Sequence, residues 1–431
     1  MSPHTVVLLG TLDTKGEEYA FVRERLHAAG VATLVVDVGV LGVPAFSPDI
    51  DRAAVAAAGG SSVDELVARG DRGAAMAVMA AGAASIVAGL VADGTVLGAL
   101  ALGGTGGTSL AATAFRPLPL GFPKIIVSTA ASGSTEQYIG ASDLILAPSV
   151  VDVAGLNRIS VPVLANAAAA LAGMVLAEPL PERPHRPMVA ASMFGVTTAG
   201  VTQARERLEA LGYEVLVFHM TGSGGTAMES LIAGGFFAGV LDLTTTELAD
   251  ELVGGVFSAG PDRLTAAGRH GVPQVIAPGA LDMVNFGPVA SVPNVFAERN
   301  LYVHNSSVTL MRTTPEECAT LGAQLASKAA AAVGPTTVLL PRGGISAIAT
   351  HGGPFADPSA DDALFHAIRE GLAGSTVDLV EIDADINAAA FATAAVDRLH
   401  AMIERRRAEP PEHTDQRSTP HQHTNHQGAP S

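Results

Sequence analysis

Short runs of apolar and β-branched residues alternate with longer Ala-rich stretches along nearly the whole chain. This alternation is typical of parallel β-sheets covered by helices, and it predicts an α/β protein. In the first half, the predicted strands are 5–10, 32–38, 97–102, 124–129 and 144–149, and the predicted helices are 16–29, 62–69, 72–92, 107–115 and 163–177.

The same rhythm restarts after the stretch EPLPERPHRP at 178–187, where four prolines in ten residues interrupt any regular element. The strands predicted beyond it are 188–194, 213–219, 238–243, 273–278, 336–341 and 376–382, and the helices are 199–211, 226–234, 246–254, 316–332, 361–371 and 387–407. We therefore expect two doubly wound, Rossmann-like parallel-sheet domains, at 1–183 and 184–407.

The last stretch, 408–431, is rich in Pro, His, Thr and Gln and contains almost no aliphatic residues. Such a composition buries too little apolar surface to offset chain entropy, so it predicts a disordered tail. Its histidines could hold a transition metal, but a solvated tail is the favoured interpretation. They are His413, His421, His423 and His426.

Charge and composition narrow the classes of partner. The formal net charge of −17, from 25 Lys and Arg against 42 Asp and Glu, argues against nucleic acid. The single cysteine, Cys318, excludes an internal disulfide, and no signal peptide is visible. Residues 74–92 carry no charge, but their Ala and Gly content favours a helix buried on a sheet over a membrane span. We expect a cytoplasmic protein.

A glycine-rich loop follows the predicted strand 97–102 and precedes a helix. Its residues Gly104, Thr105, Gly106 and Gly107 fit a phosphate site, because glycine lets backbone amides approach an anion at a helix N-terminus. A tight turn with a Thr cap is the simpler alternative.

Three polar residues, Asp13, Thr14 and Lys15, follow the first strand, and Arg72 begins the long Ala-rich helix. Lys15 and Arg72 could reach a phosphate, and Asp13 could accept from a ribose hydroxyl or position a cation. The Walker pattern is absent here. If strands one and three are neighbours, these side chains converge on one anion.

A second glycine loop, GSGGTA at 222–227, matches the dinucleotide pattern GxGxxG/A, and Asp242 ends the following strand. Because isolated matches of this kind are often accidental, a nicotinamide-dependent enzyme is a minor alternative. The loop is expected either to hold a different anion or to be only a repeat of the first glycine loop, left by duplication of half of the chain.

The second half also places polar residues at several predicted strand ends. Together they suggest a second small-anion site in a cleft between the domains. The runner-up interpretation is an enzyme that acts there on a carboxylate or sugar acid with a phosphorylated co-substrate. The catalytic candidates are Glu247, Asp282, His304 and Arg342.

Several longer motifs resemble one known family, over roughly residues 5–405. They are GTLDTKGEE, the loop at 103–110, STAASG at 128–133, SVVDVAGLNRIS at 149–160, DLTTTELADELVGGVFSAGPDR at 242–263, PGALDMVNF at 278–286 and LMRTTPEE at 310–317. This is the family of the N-terminal domain of the tomato mosaic virus resistance protein and its uncharacterised bacterial relatives.

The resemblance implies two Rossmann-like subdomains, a homodimer, and ATP, with Mg²⁺ as an optional companion, bound to the N-terminal subdomain. Its nucleotide contacts fall on Asp13, Thr14, Lys15, Arg72 and 104–107, which are the residues already selected. It leaves open whether the protein is an ATP-dependent enzyme or a nucleotide-gated interaction module. We expect no counterpart of the barrel-like domain that follows in the plant protein, so antiviral function is not expected to transfer.

Overall fold

The computed structural model of the protein describes residues 4–178 and 185–408. The Pro-rich break between the predicted domains falls mostly outside these residues. The predicted tail also lies outside them, apart from Ala408.

Residues 4–178, here called the N domain, form one parallel sheet with helices on both faces. Its strands are β1 (Thr5–Gly10), β2 (Ala32–Asp37), β3 (Ala99–Gly103), β4 (Lys124–Ser128) and β5 (Ile145–Pro148). Its helices are α1 (Leu12–Ala28), α2 (Arg52–Ala58), α3 (Val63–Arg69), α4 (Arg72–Ala92), α5 (Thr105–Phe115), α6 (Glu136–Ile139) and α7 (Ser160–Leu176). The strand order is β2-β1-β3-β4-β5, so the chain reverses direction across the sheet between β1 and β3.

Residues 185–408, here called the C domain, repeat this plan with additions. Its strands are β6 (Met188–Met193), β7 (Glu214–His219), β8 (Gly239–Thr244), β9 (Gln274–Gly279), β10 (Met283–Phe286), β11 (Leu301–Asn305), β12 (Val308–Arg312), β13 (Thr336–Pro341) and β14 (Asp378–Ile382). Its helices are α8 (Thr198–Ala210), α9 (Ser223–Ala233), α10 (Glu247–Val253), α11 (Ala266–Arg269), α12 (Pro315–Ala330), α13 (Pro358–Leu372) and α14 (Ala389–Ala408). The main sheet has the order β14-β13-β9-β8-β6-β7.

The predicted fold class is confirmed, because both main sheets are parallel and doubly wound. A three-stranded antiparallel sheet, β10-β12-β11, is inserted between β9 and β13 and was not predicted from the sequence. The hairpin joining β11 and β12 turns at Asn305, whose side chain accepts a hydrogen bond from the Ser307 amide. The apolar residues that flank an Asn-Ser-Ser turn were the available signal.

Side chains of β1 alternate between two cores, one on each face of the N-domain sheet. Val7 and Leu9 pack with α2, α4 and α5, whereas Val6 and Leu8 pack with α1 and α7. Because both faces are covered, β1 and β3 are apolar at nearly every position rather than at alternate ones.

Helix α4 is, by length and composition alone, apolar enough to cross a membrane, and 33% of its most apolar window is buried. Core helices pass the same test. Met79, Ala83 and Val87 join the core, and α4 packs against α2 and α5. The prediction that α4 is buried on the sheet therefore holds for one of its faces.

Two glycines of α4 provide a matched test of this packing. A Cβ at Gly82 would lie 1.9 Å from the carbonyl oxygen of Val55 on α2, whereas a Cβ at Gly89 would contact nothing within 4 Å. We expect Gly82→Ala to lower the free energy of unfolding by about 2 kcal/mol. Gly89→Ala should raise it by up to about 1 kcal/mol, because alanine favours the helix. Urea denaturation followed by circular dichroism measures both, and equal effects would contradict the close packing of α2 and α4.

Candidate functional site

The strands β1 and β3 are neighbours, which is the arrangement that would bring the predicted phosphate-binding residues together. The two strands separate at their carboxyl ends. Their pairing stops at Leu9 and Ala101. Beyond that point the Tyr19 hydroxyl from α1 donates to the Leu9 carbonyl at 2.5 Å and accepts from the Leu102 amide at 2.8 Å. Burial raises the pKa of Tyr19 well above its ordinary value, which keeps this bridging hydroxyl protonated. A crevice therefore opens at the topological switch point, where α/β proteins commonly bind ligands.

A cavity of about 670 Å³ occupies this crevice. The residues that line it include all eight of the predicted nucleotide contacts: Asp13, Thr14, Lys15, Arg72, Gly104, Thr105, Gly106 and Gly107. The structure thus brings together side chains from three separate turns.

The N-terminus of α5 forms one wall of this cavity. Thr108 closes the first helical turn, since its amide and its hydroxyl both donate to the Gly104 carbonyl, at 2.9 and 2.8 Å. The amides of Thr105, Gly106 and Gly107 find no acceptor within the described residues. Three free N–H groups and the positive end of the helix dipole therefore face the cavity.

Two cations border these amides. Arg72 is exposed and has no hydrogen-bond or ion-pair partner in the described part of the chain, and a Cβ at Gly106 would lie 3.8 Å from its Nη2. Lys15 Nζ donates to the Val153 carbonyl, which uses one of its three N–H donors. Both side chains thus retain donors for an anion.

The other two predicted residues are held by the protein itself. Asp13 Oδ2 accepts from the amides of Gly42, at 3.0 Å, and Leu41, at 3.4 Å, so the carboxylate anchors the cavity wall that follows β2. The Thr14 hydroxyl lies 2.7 Å from that of Thr11.

Two neighbouring residues were missed by the sequence analysis. Asp37, fully buried at the end of β2, accepts from the amides of Leu12 and Gly39 and from Arg52 Nε at 2.9 Å. Arg52 also donates to the Gly42 carbonyl at 2.6 Å. An acidic residue at the end of the second strand, in a fold expected to be Rossmann-like, was the available signal for Asp37.

The second glycine loop is already occupied by a carboxylate of the same domain. Glu247 Oε1 accepts from the amides of Gly222 at 2.7 Å and Gly225 at 3.1 Å. A Cβ at Gly225 would lie 2.0 Å from Glu247 Oε2, so glycine is needed there to admit the carboxylate. Of the two expectations for this loop, the one observed is an anion partner, and that anion is the Glu247 carboxylate of the same domain.

The other expectation, that this loop repeats the first glycine loop through duplication of half of the chain, is wrong. The first glycine loop follows β3, a central strand that lies between β1 and β4. The second follows β7, an edge strand that corresponds to β2. The C-domain counterpart of the first loop is instead the turn between β8 and α10, which contains Thr245 and Thr246.

A buried arginine ties these acids together. Arg263 donates to both oxygens of Asp242, at 2.5 and 2.7 Å, and to Glu247 Oε2 at 2.7 Å. Desolvation of the guanidinium is outweighed by its acidic partners, chiefly Asp242, so the pKa of Arg263 is raised. Asp242 is therefore committed to Arg263, which argues against its predicted role in dinucleotide binding.

The four catalytic candidates do not form a group. Glu247 and Asp282 are buried with internal partners, His304 is exposed on the edge strand β11, and Arg342 pairs with Glu381 at 2.8 Å. No hydrogen bond or ion pair joins any two of the four, all of which are described.

Two buried carboxyl groups in the C domain have displaced pKa values. Burial raises the pKa of Asp282 to about 6, although Arg312 and the Ser346 hydroxyl, which donates to Oδ2, oppose the rise. Burial likewise raises the pKa of Asp250 to about 7, against hydrogen bonds from Asn285 and Phe257. Both groups therefore gain charge near neutral pH at a cost to the fold.

Comparisons with known proteins agree with the two-domain architecture. The family model "Uncharacterised protein family (UPF0261) N-terminal domain" matches residues 4–179, and its C-terminal counterpart matches residues 186–403. A UPF0261 protein of Clostridium tetani is 49% identical over 400 residues, covering 93% of this chain and 99% of that protein.

More distant similarity extends to a plant protein. The ToMV resistance protein Tm-1(GCR237) of Solanum lycopersicum is 41% identical over 415 residues, which cover 91% of this chain but only 55% of the tomato protein. Among solved structures, a C2-type ketoreductase from a modular polyketide synthase has 19% identity and a TM-score of 0.18, with 91% of this chain and 94% of that one covered. That similarity is too low to carry an argument.

The internal carboxylate at the second glycine loop can be tested by removing it. Glu247→Ala removes the acceptor of Arg263 Nε and of two buried loop amides, although Arg263 keeps Asp242, and we expect the free energy of unfolding to fall by about 3–5 kcal/mol. Glu206→Ala, at an exposed position of α8, is the control and should change it by less than about 0.5 kcal/mol. Chemical denaturation followed by circular dichroism compares them, and a neutral Glu247→Ala would refute the structural role.

The pKa of Asp282 predicts a pH dependence of stability. Because the pKa is raised from 3.8 to about 6 in the folded state, the stabilisation is complete below pH 3.8 and is lost as pH rises towards 6. The loss is on the order of 3 kcal/mol. In Asp282→Asn, melting temperatures measured from pH 4 to pH 7 should fall less steeply than in the wild type, while Asp262→Asn, at an exposed position, should leave the slope unchanged. Parallel curves for all three proteins would exclude Asp282 as the titrating group.

Proposed function

We propose that this chain, which belongs to the UPF0261 family, binds ATP in the N domain, with the triphosphate at the N-terminus of α5. One observation carries the proposal. Three unpaired amides, at Thr105, Gly106 and Gly107, line a cavity that Lys15 and Arg72 also line. Such a set of donors suits a polyanion. The three amides and Arg72 have no acceptor within the described residues, and Lys15 uses only one of its donors, on Val153.

The overall charge of the protein makes these local donors necessary. A chain with a net charge of −17 repels a free nucleotide at long range, so the attraction must come from groups in contact with the phosphates. Backbone amides supply fixed dipoles, while Arg72 supplies a planar fork that can engage two phosphate oxygens.

The rest of the cavity suits a nucleoside. Apolar side chains of the loop after β2 and of α3 and α4 line it: Val38, Val40, Leu41, Leu66, Val67, Met76 and Met79. They offer an apolar surface for a base, and a volume of about 670 Å³ lies within the range of small-molecule sites. The family resemblance implies that the nucleotide is ATP.

A bound Mg²⁺ would arrive with the nucleotide. The described residues contain no group of three or more His, Cys, Asp or Glu side chains placed to hold a metal ion. Mg²⁺ bound to a nucleotide needs only one or two carboxylates from the protein, and Asp152 lines the cavity next to Val153, the partner of Lys15.

The proposal concerns binding rather than a reaction. The candidates for acid–base chemistry lie in the C domain, where Glu247 and Asp282 have internal partners. A nucleotide-gated interaction module and an ATP-dependent enzyme share this binding step.

The proposal is tested by removing the two cations together. Lys15→Ala with Arg72→Ala should weaken ATP binding at least about 100-fold, because each charge-assisted contact contributes roughly 1.5–3 kcal/mol. Arg25→Ala, at an exposed position of α1, is the matched control and should bind ATP as the wild type does. Isothermal titration calorimetry in Mg²⁺ buffer gives the three affinities. Unchanged affinity in the double variant, or no binding by the wild type, would overturn the proposal.

A further inference from the structure

The turn that follows β5 contains a strained residue. Val150 has a φ of 66°, and among the described residues only Leu264 and Ala280 also have positive φ without being glycine. A left-handed backbone brings Cβ close to the following carbonyl oxygen, and a β-branched residue is a genuine outlier there. The Val151 amide donates to the Ser149 carbonyl at 2.7 Å, so Val150 is the central residue of a strained γ-turn.

The strain at Val150 is not offset by its own side chain, which is 76% exposed and therefore packs little. The residues on either side are fixed instead. Ser149 is buried, its amide donates to the Ser128 carbonyl at 3.1 Å, and its hydroxyl donates to the Val151 carbonyl at 2.6 Å. Val153 is buried in the core that β1 shares with α1 and α7. These two attachments impose the strain on the turn between them.

The second attachment depends on a predicted phosphate contact. The Val153 carbonyl accepts from Lys15 Nζ, and no other donor binds this carbonyl within residues 4–178 and 185–408. Between the two attachments, Asp152 lines the cavity, as Lys15 does. A charged phosphate oxygen is a stronger acceptor than a carbonyl oxygen, so a triphosphate in the cavity draws the ammonium group away from Val153.

We infer that the turn at 149–153 is a nucleotide-responsive switch, in which Lys15 leaves Val153 for a phosphate and the strain at Val150 is released. The release favours binding, because the strain is present in the free protein and absent from the complex. Val150 does not line the cavity, so the nucleotide moves an exposed apolar side chain outside its own site. This inference rests on the proposed function and adds to it a conformational response.

Removing the strain from the free protein tests the switch. Val150→Gly and Val150→Asn both suit positive φ, and asparagine does so without the flexibility of glycine. We expect Val150→Gly to raise the equilibrium constant of folding severalfold and to weaken ATP binding by about five- to thirtyfold, the equivalent of ~1–2 kcal/mol. Val150→Asn should shift both quantities in the same direction. Urea denaturation and isothermal titration calorimetry measure them.

The control is Ala280→Gly, which makes the same kind of change in the C domain and should leave the affinity for ATP unchanged. If both Val150 variants bind ATP as tightly as the wild type, the strain persists in the complex and the switch is refuted, while the proposed function stands. If neither variant is more stable than the wild type, Val150 is unstrained and the switch is also refuted. If the wild type does not bind ATP, both proposals are overturned.

A double-mutant cycle tests the part of Lys15 without any nucleotide. In Lys15→Ala the Val153 carbonyl has lost its donor, so the turn should already be relaxed and Val150→Gly should add no further stability. In Arg25→Ala, a change at an exposed position of α1, Val150→Gly should keep its full effect. Urea midpoints compare the four proteins with the wild type and with Val150→Gly alone. An equal gain in the Lys15→Ala and wild-type backgrounds would show that Lys15 does not hold the turn, and would overturn the switch.

Discussion

The unpaired amides at the N-terminus of α5 are the feature on which the candidate site depends, because free N–H groups at the positive end of a helix dipole favour an anion. The C domain satisfies the amides of the second glycine loop internally, since Glu247 bridges Gly222 and Gly225 and is itself held by Arg263. The N domain leaves the amides of Thr105, Gly106 and Gly107 open to a cavity. The two domains share a sheet plan, but within the described residues only the C domain supplies a carboxylate to its glycine loop.

The buried acids of the C domain explain the longest of the family motifs in structural terms. Asp242, Glu247 and Asp250 each bind groups within the domain, and Arg263 neutralises the first two. The many acidic residues of this motif suggest a catalytic role, yet their side chains bind groups of the same domain and hold its loops and strands together. In the N domain the pair Asp37 and Arg52 plays a comparable part beside the cavity.

The parallel sheets and most helices followed from the sequence, because the alternation of apolar strands and Ala-rich helices is set by burial on both sheet faces. The grouping of eight predicted residues around one cavity followed as well, since each lies soon after a strand or at the start of a helix; their role in binding stays a prediction. The sequence did not reveal that Glu247 fills the second glycine loop. That contact joins residues 25 positions apart, and only the order of the strands shows which loops meet. Arg52 and Arg263 were missed for the same reason, because their partners are distant in sequence.

A crystal structure of the protein grown with ATP and Mg²⁺ tests the central claim most directly. We expect phosphate oxygens within hydrogen-bonding distance of the amides of Thr105, Gly106 and Gly107, while Glu247 remains bound to the second glycine loop. A nucleotide bound elsewhere, with those three amides left free, would contradict it.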